Sequence, residues 1–422
     1  MVKQPIPYIL IQKGGVLKPY KEISKKELIK FNRLNNYLRE FEASQSILPL
    51  VKTNAVELDN YVTHLQNINH KLPVPRLEHI EIDDEVNRLL LNFLTSARLY
   101  LDHTETRLKK RYGAESEQFK KFKLATSSAY DELFAYRFFY KLRNYVQHCG
   151  MAINITSDFS SSKNIPGRVD IHKMRIEFDP QELLDNYNDW GPVKKDLEKQ
   201  KENLKVHGFA SEVLNELQLI DSYTYLGEYQ ELYKAGNWIV DLIEDAFSVG
   251  ENPQVGTLQK HGKKLNASFT IPALDVLQVV GVVDFRGKES GNKPLEYFPM
   301  FGFCFKITWN ENENLFTVTS PSIPELSVQD VYRENAIDKA EIQFKSIMKE
   351  YLQSKKRPPA PLTWREQYKL INKDSVNLSS RQLRHRYSGT ECTSHKNSPV
   401  QVSCRTIMLI TRQQKHQTVV FF

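Results

Sequence analysis

The sequence predicts an α+β protein: a helical first part and a helical middle region, followed by a small module of hairpin strands and one helix. Three observations carry this prediction. Up to Gly150, apolar residues recur at the three- and four-residue spacing of amphipathic helices. Just after Gly150, short runs alternate like strands. Between 297 and 361, strand-like runs lead into one helix and a Pro-rich stop.

In chain order, Tyr8-Ile9-Leu10-Ile11 reads as a short strand beside Gly14-Gly15, able to pair with the later hairpins. Ser24 stands three residues before Glu27, a capping-box spacing, and Phe31, Leu34, Tyr37, Leu38 and Phe41 continue a helix. A second helix is predicted over 51–70, and Leu72-Pro73-Val74-Pro75 breaks the chain. A third covers roughly 83–112 and ends in Leu108-Lys109-Lys110-Arg111 before Gly113. A fourth spans about 115–149, with an interruption expected near Ser127-Ser128 and a stop at Gly150. Its second half sets Phe134, Phe138, Phe139, Leu142, Tyr145 and Val146 on one broad apolar face.

Beyond Gly150, Met151–Thr156 and Lys173–Phe178 read as a hairpin around Pro166-Gly167. Helical spacing returns over 179–203, split at Gly191-Pro192, and again over 211–249. The Gly/Asn/Pro/Lys-rich stretch 250–264 reads as a linker. Strands are expected over 267–270, 277–285, 301–308 and 315–320, then a helix over 331–353 and a stop at Arg357-Pro358-Pro359-Ala360-Pro361. The domains so drawn are 1–150, 151–250, 265–361 and a basic tail, 362–422, expected to be poorly ordered.

Composition is that of an ordinary globular chain, 40% hydrophobic and 26% charged. The longest apolar runs are far too short to span a bilayer, and the N-terminus lacks a secretory apolar region, so cytoplasm and no membrane partner are expected. Cys149, Cys304, Cys392 and Cys404 show no metal-binding or disulfide spacing. His148, His172 and His207 likewise suggest no metal site, and no P-loop, GxGxxG or HExxH occurs, so no cofactor is expected. The net charge of +7 is misleading: 355–422 holds 13 Lys/Arg against 3 Asp/Glu, which leaves the rest of the chain slightly acidic. The basic Arg381–Tyr387 segment could touch RNA phosphate, though solvation explains it better. Asp241, Glu244 and Asp245 read as a solvated helix face, and Trp190 and Trp238 as packing residues.

The segment carrying chemistry is Lys141-Leu142-Arg143-Asn144-Tyr145-Val146-Gln147-His148. Asn is a poor choice inside a helix, so a purely structural helix gains nothing from Asn144. Asn144 and His148 share one face, while Arg143 and His148 lie about 140° apart and can flank one groove. A histidine, titrating near neutrality, can take the proton of a ribose 2′-OH or protonate a leaving 5′-oxygen. An arginine offers a fork of donors to phosphate oxygens as charge builds at phosphorus. Asn144 could fix the imidazole orientation or donate a further hydrogen bond. The bare spacing is common, and a solvated Arg and His near a helix end is the ordinary alternative.

Arg143-Asn144 followed by His148 resembles the Arg-Asn-x3-His signature of HEPN domains, over roughly residues 25–150. The resemblance implies a bundle of four or five helices and a metal-independent endoribonuclease of a bacterial defence or toxin–antitoxin type. Arg143 and His148 would then be catalytic and Asn144 supporting, with RNA as substrate and a homodimer as the working form. The alternative is a non-catalytic module that uses the same helix to bind RNA, nucleotide or protein.

Weaker is the resemblance of Tyr297–Phe303, Leu315–Val318 and Pro321-Ser322-Ile323-Pro324-Glu325-Leu326 to HicB antitoxins. Glu325 stands where that family's turn usually has Gly, and Gln329-Asp330-Val331 replaces its Gly-Asp-Thr lead into the helix. This resemblance implies a partner-binding or autoinhibitory module and an antitoxin or regulatory protein among the partners.

Overall fold

The computed structural model describes residues 4–13, 16–68, 76–160, 171–247, 249–261, 264–281, 295–354 and 358–372. In chain order the elements are β1 (Ile6–Lys13), β2 (Val16–Glu22), α1 (Lys25–Ser44), α2 (Ile47–Asn67), α3 (Arg76–Tyr112), α4 (Glu117–Glu132) and α5 (Phe134–His148). There follow β3 (Ile153–Ser160), β4 (Ile171–Phe178), α6 (Pro180–Asn186), α7 (Val193–Glu198), β5 (Leu204–Lys205) and α8 (Phe209–Phe247). The remainder is β6 (Glu251–His261), β7 (Lys264–Thr270), α9 (Leu274–Val279), β8 (Leu295–Met300), β9 (Phe303–Asn310), β10 (Leu315–Ser320), β11 (Ile323–Asp330), α10 (Arg333–Gln353) and α11 (Trp364–Ile371). The protein is α+β, helical in its first part, with a C-terminal sheet and helix. The tail from 373, with Cys392, Cys404 and Arg381–Tyr387, lies outside the described residues.

The chain forms two compact units, one of residues 44–224 and one of 1–43 with 225–422. Neither cut falls at a change in composition, because the second unit is closed by pairing far along the chain. β1 pairs antiparallel with β6, Tyr8 opposite Gly256 and Ile9 opposite Val255. The resulting sheet runs β2-β1-β6-β7. The expected linker is thus a strand. Its glycine has a different cause: a Cβ on Gly256 would collide with the Ser268 carbonyl and the Phe269 backbone of β7.

In the same unit the Ser24–Glu27 capping box forms as expected at the start of α1. Glu27 N–H donates to Ser24 Oγ at 3.1 Å, and Ser24 N–H to the Glu27 carboxylate at 2.7 Å. A second sheet, β11-β10-β9-β8, lays Phe303, Phe305, Ile307 and Val318 on Ala336, Ala340, Phe344 and Met348 of α10. The strand expected over 301–308 starts two residues later. Phe301 and Gly302 (φ 52° and 80°) form the tight turn of the β8–β9 hairpin, with Met300 paired to Phe303. The strand expected from 277 is the short helix α9, followed by residues outside the described set. Val276, Leu277, Val279 and Val280 are all buried, and burial on every side leaves no period to read.

The unit 44–224 holds α2 to α7, the three-stranded sheet β3-β4-β5 and the first part of α8 around one core. α5 lies at its centre. Phe138 meets Phe178 at 5.4 Å, Phe209 at 5.6 Å and Trp190 at 6.0 Å between ring centroids, and Phe93 meets Phe139 at 6.0 Å. The apolar face expected for this helix is the buried one: Phe138, Phe139, Leu142 and Tyr145 are all 2% exposed or less. The interruption falls at Leu133, in extended conformation between α4 and α5, and not at Ser127-Ser128. Serine survives inside α4 because its hydroxyl finds a partner one turn on, Ser128 Oγ donating to Glu132 at 2.6 Å.

Candidate active site

The last two turns of α5 are held by their inner face and open on their outer one. Trp190 is fully buried, donates its indole N–H to the Leu183 carbonyl at 3.0 Å, and stacks on Tyr145 at 5.7 Å. Tyr187 closes against Trp190 at 5.3 Å and Tyr145 at 6.1 Å, each edge to face. The α6–α7 connection therefore fixes the rotation of α5 about its axis, and with it the direction in which Arg143, Asn144 and His148 project.

Arg143 and Asn144 are half-buried, while Gln147 and His148 are exposed. His148 is the last helical residue. Cys149 caps the helix by donating its N–H to the Tyr145 carbonyl at 2.8 Å, and Gly150 leaves it with φ of +130°. The glycine stop read from the sequence is the one used.

The basic groups of α5 divide into two kinds. Arg137 is tied to Asp196 at 2.8 Å and to the carbonyls of Tyr130 and Asp131 at 3.2 and 3.0 Å. Lys141 donates to the Asp189 carbonyl at 2.8 Å and meets its carboxylate at 3.3 Å. Both cations are spent on anchoring the helix. Arg143 and His148, by contrast, have no hydrogen-bond or ion-pair partner among the described residues.

Asn144 makes no hydrogen bond to His148 among the described residues. The Tyr187 hydroxyl donates to the Asp189 carboxylate at 3.5 Å. Burial and then the Asp189 carboxylate push the Tyr187 phenol up from its ordinary value, and the Asn144 amide opposes them. Tyr145 is pushed up by burial, against a hydrogen bond from Asn186. Asp189 and Glu182 flank this side, the latter accepting from Asn154 at 2.6 Å. Among the described residues of α5, Arg143 is therefore a cation left for an anionic ligand.

Tyr187 is the site residue that sequence reading missed. It follows Asn144 by a β-hairpin and a helix, and no spacing rule connects the two. Among the described residues no group of three or more His, Cys, Asp or Glu is placed to hold a metal ion, and no helix is long and apolar enough to cross a membrane. Asp241, Glu244 and Asp245 are exposed along α8, as expected of a solvated face. No protein-family profile, no curated protein and no solved structure matches the chain.

Proposed function

We propose that the chain is a metal-independent endoribonuclease with Arg143 and His148 as catalytic residues and Asn144 in support. The observation that carries this reading is the division of labour on α5: Arg137 and Lys141 are locked into the fold, whereas Arg143 and His148 are left uncommitted at its accessible end. A folded protein gains little stability from an unpartnered, half-buried arginine and an exposed histidine at one helix end. A phosphodiester ligand gains both.

In this mechanism the neutral His148 imidazole takes the proton of a ribose 2′-OH. The 2′-oxygen bonds to phosphorus, the bond to the 5′-oxygen breaks, and water protonates that leaving oxygen. The Arg143 fork takes up charge on the non-bridging oxygens. The products are a 2′,3′-cyclic phosphate and a free 5′-hydroxyl. The bacterial defence or toxin–antitoxin setting, and a homodimer as the working form, come with the HEPN resemblance. A partner-binding role for the module around β8–β11 and α10 comes with the HicB one.

The test compares wild type with Arg143→Ala and His148→Ala for cleavage and binding of the same RNA. Cleavage lost in both variants, with folding intact, supports the enzyme. RNA binding that persists in all three proteins with no cleavage in any overturns it in favour of a non-catalytic RNA-binding module.

A further inference from the structure

α3 is 37 residues long and buries one side along its length, so a single outer stripe is left. That stripe runs Glu81, Asp84, Arg88, Leu91, Thr95, Leu99, Asp102, Thr106, and its middle is apolar, with Leu91 39% and Leu99 52% exposed. A surface helix normally turns charge to water at such positions. On the α5 side the apolar surface continues onto Tyr140, 37% exposed, whose ring carries the Arg98 guanidinium at 4.7 Å.

The middle of the stripe is complementary to its own reverse about Thr95. Leu91 and Leu99 stand four residues either side of it and Arg88 and Asp102 seven, while the next pair out, Asp84 and Thr106, adds no complementary charge. With 3.6 residues per turn, all of them fall within about 40° of the Thr95 direction. We infer that this stripe is a self-association surface on which a second copy of the chain docks antiparallel, with the two-fold axis through Thr95.

Docked so, Leu91 of each copy packs on Leu99 of the other, and Arg88 meets Asp102 twice, which is what an isologous interface requires. A parallel, in-register pair would set Arg88 against Arg88 and Asp102 against Asp102, so charge selects the antiparallel arrangement. A foreign partner would have no need of this self-complementarity. The intrahelical pairs Arg88–Glu85 (2.6 Å) and Arg98–Asp102 (2.9 Å) do not oppose docking. Both pairs are bidentate, Arg88 exposed and Arg98 half-buried, and they leave the Arg88 Nη1 donors and Asp102 lone pairs for a partner across the interface. This inference rests on α3 alone and does not require the nuclease reading.

The oligomeric state of the full chain tests it, by sedimentation or light scattering at tens of micromolar. Wild type is expected to be a dimer. Leu99→Glu, Arg88→Glu or Asp102→Lys should each raise the dissociation constant about tenfold or more. The double swap Arg88→Glu with Asp102→Lys should recover the dimer, because position 88 again faces opposite charge at 102. The stripe is exposed, so the thermal melt of each variant should stay close to wild type, and the recovery by the double swap separates docking from misfolding.

A second readout is covalent. Two helix axes about 8–10 Å apart, each of Cα radius about 2.3 Å, bring the two Thr95 Cα atoms within about 4–5 Å, inside disulfide range. Thr95→Cys, in a chain with Cys149, Cys392 and Cys404 replaced by Ser, should therefore oxidise to a covalent dimer. A monomeric wild type, or a dimer indifferent to Leu99→Glu and to both charge reversals, overturns the inference.

Discussion

The side-chain amide of Asn144 stands near enough to the Tyr187 hydroxyl to oppose the upward push that burial and Asp189 exert on it, which couples the end of α5 to the α6–α7 connection. The hydroxyl is the only part of Tyr187 that Phe lacks, and the ring alone packs on Trp190 and Tyr145. Tyr187→Phe should therefore leave the fold intact and remove that coupling to Asn144. If Asn144 supports catalysis from this position, the variant loses roughly 2- to 10-fold in kcat, the worth of one neutral hydrogen bond, with KM little changed. Steady-state kinetics on a short RNA decides it, and the double variant with Asn144→Ala should be no worse than Asn144→Ala alone.

A second bond across the same unit is a stability device. Tyr100 of α3 donates to the buried Asp221 carboxylate of α8 at 2.9 Å, and both residues are at most 6% exposed. Burial, then the neighbouring carboxylate, raise the Tyr100 phenol well above its ordinary value, so it stays a proton donor throughout the physiological range. Tyr100→Phe removes the donor and leaves the carboxylate under-satisfied. The expected cost is about 1–3 kcal/mol, read as a lower urea midpoint with unchanged slope.

The other unit carries a pH-dependent term. Burial, and next the neighbouring Glu42 carboxylate, raise the Asp275 carboxyl above its ordinary 3.8, against the pull of Arg39 and Tyr368. The folded protein thus holds this proton more tightly than the unfolded chain. Its contribution favours folding below the ordinary carboxylate range and is lost as pH rises through the raised value. Asp275→Asn supplies a neutral group at every pH. The variant should melt above wild type at neutral pH, and the gap should close as pH falls below about 4. Thermal melts across that range measure it.

How far the sequence told this in advance depends on how local each cause is. The capping box at Ser24 and Glu27, the glycine stop after His148 and the apolar face of α5 were legible because each is set by residues within a turn or two. The β6 strand was not, because its glycine, asparagine and proline read as linker. Its partners in β1, Tyr8 and Ile9, stand more than half the chain away. α9 was misread as a strand for a different reason, its residues being buried all round. At the candidate site, Arg143, Asn144 and His148 stand out by residue type. Tyr187 does not, since only the packing of Trp190 brings it to Asn144.

The most direct test of the central claim reads the chemistry of the cut ends. Wild-type protein is incubated in a chelator with an RNA, and with the same RNA carrying 2′-deoxy sugars. The expected result is fragments ending in 2′,3′-cyclic phosphate from the RNA, no cleavage at the 2′-deoxy positions, and no fragments from His148→Ala. Cleavage that persists at 2′-deoxy positions, or that His148→Ala leaves at the wild-type rate, would contradict it.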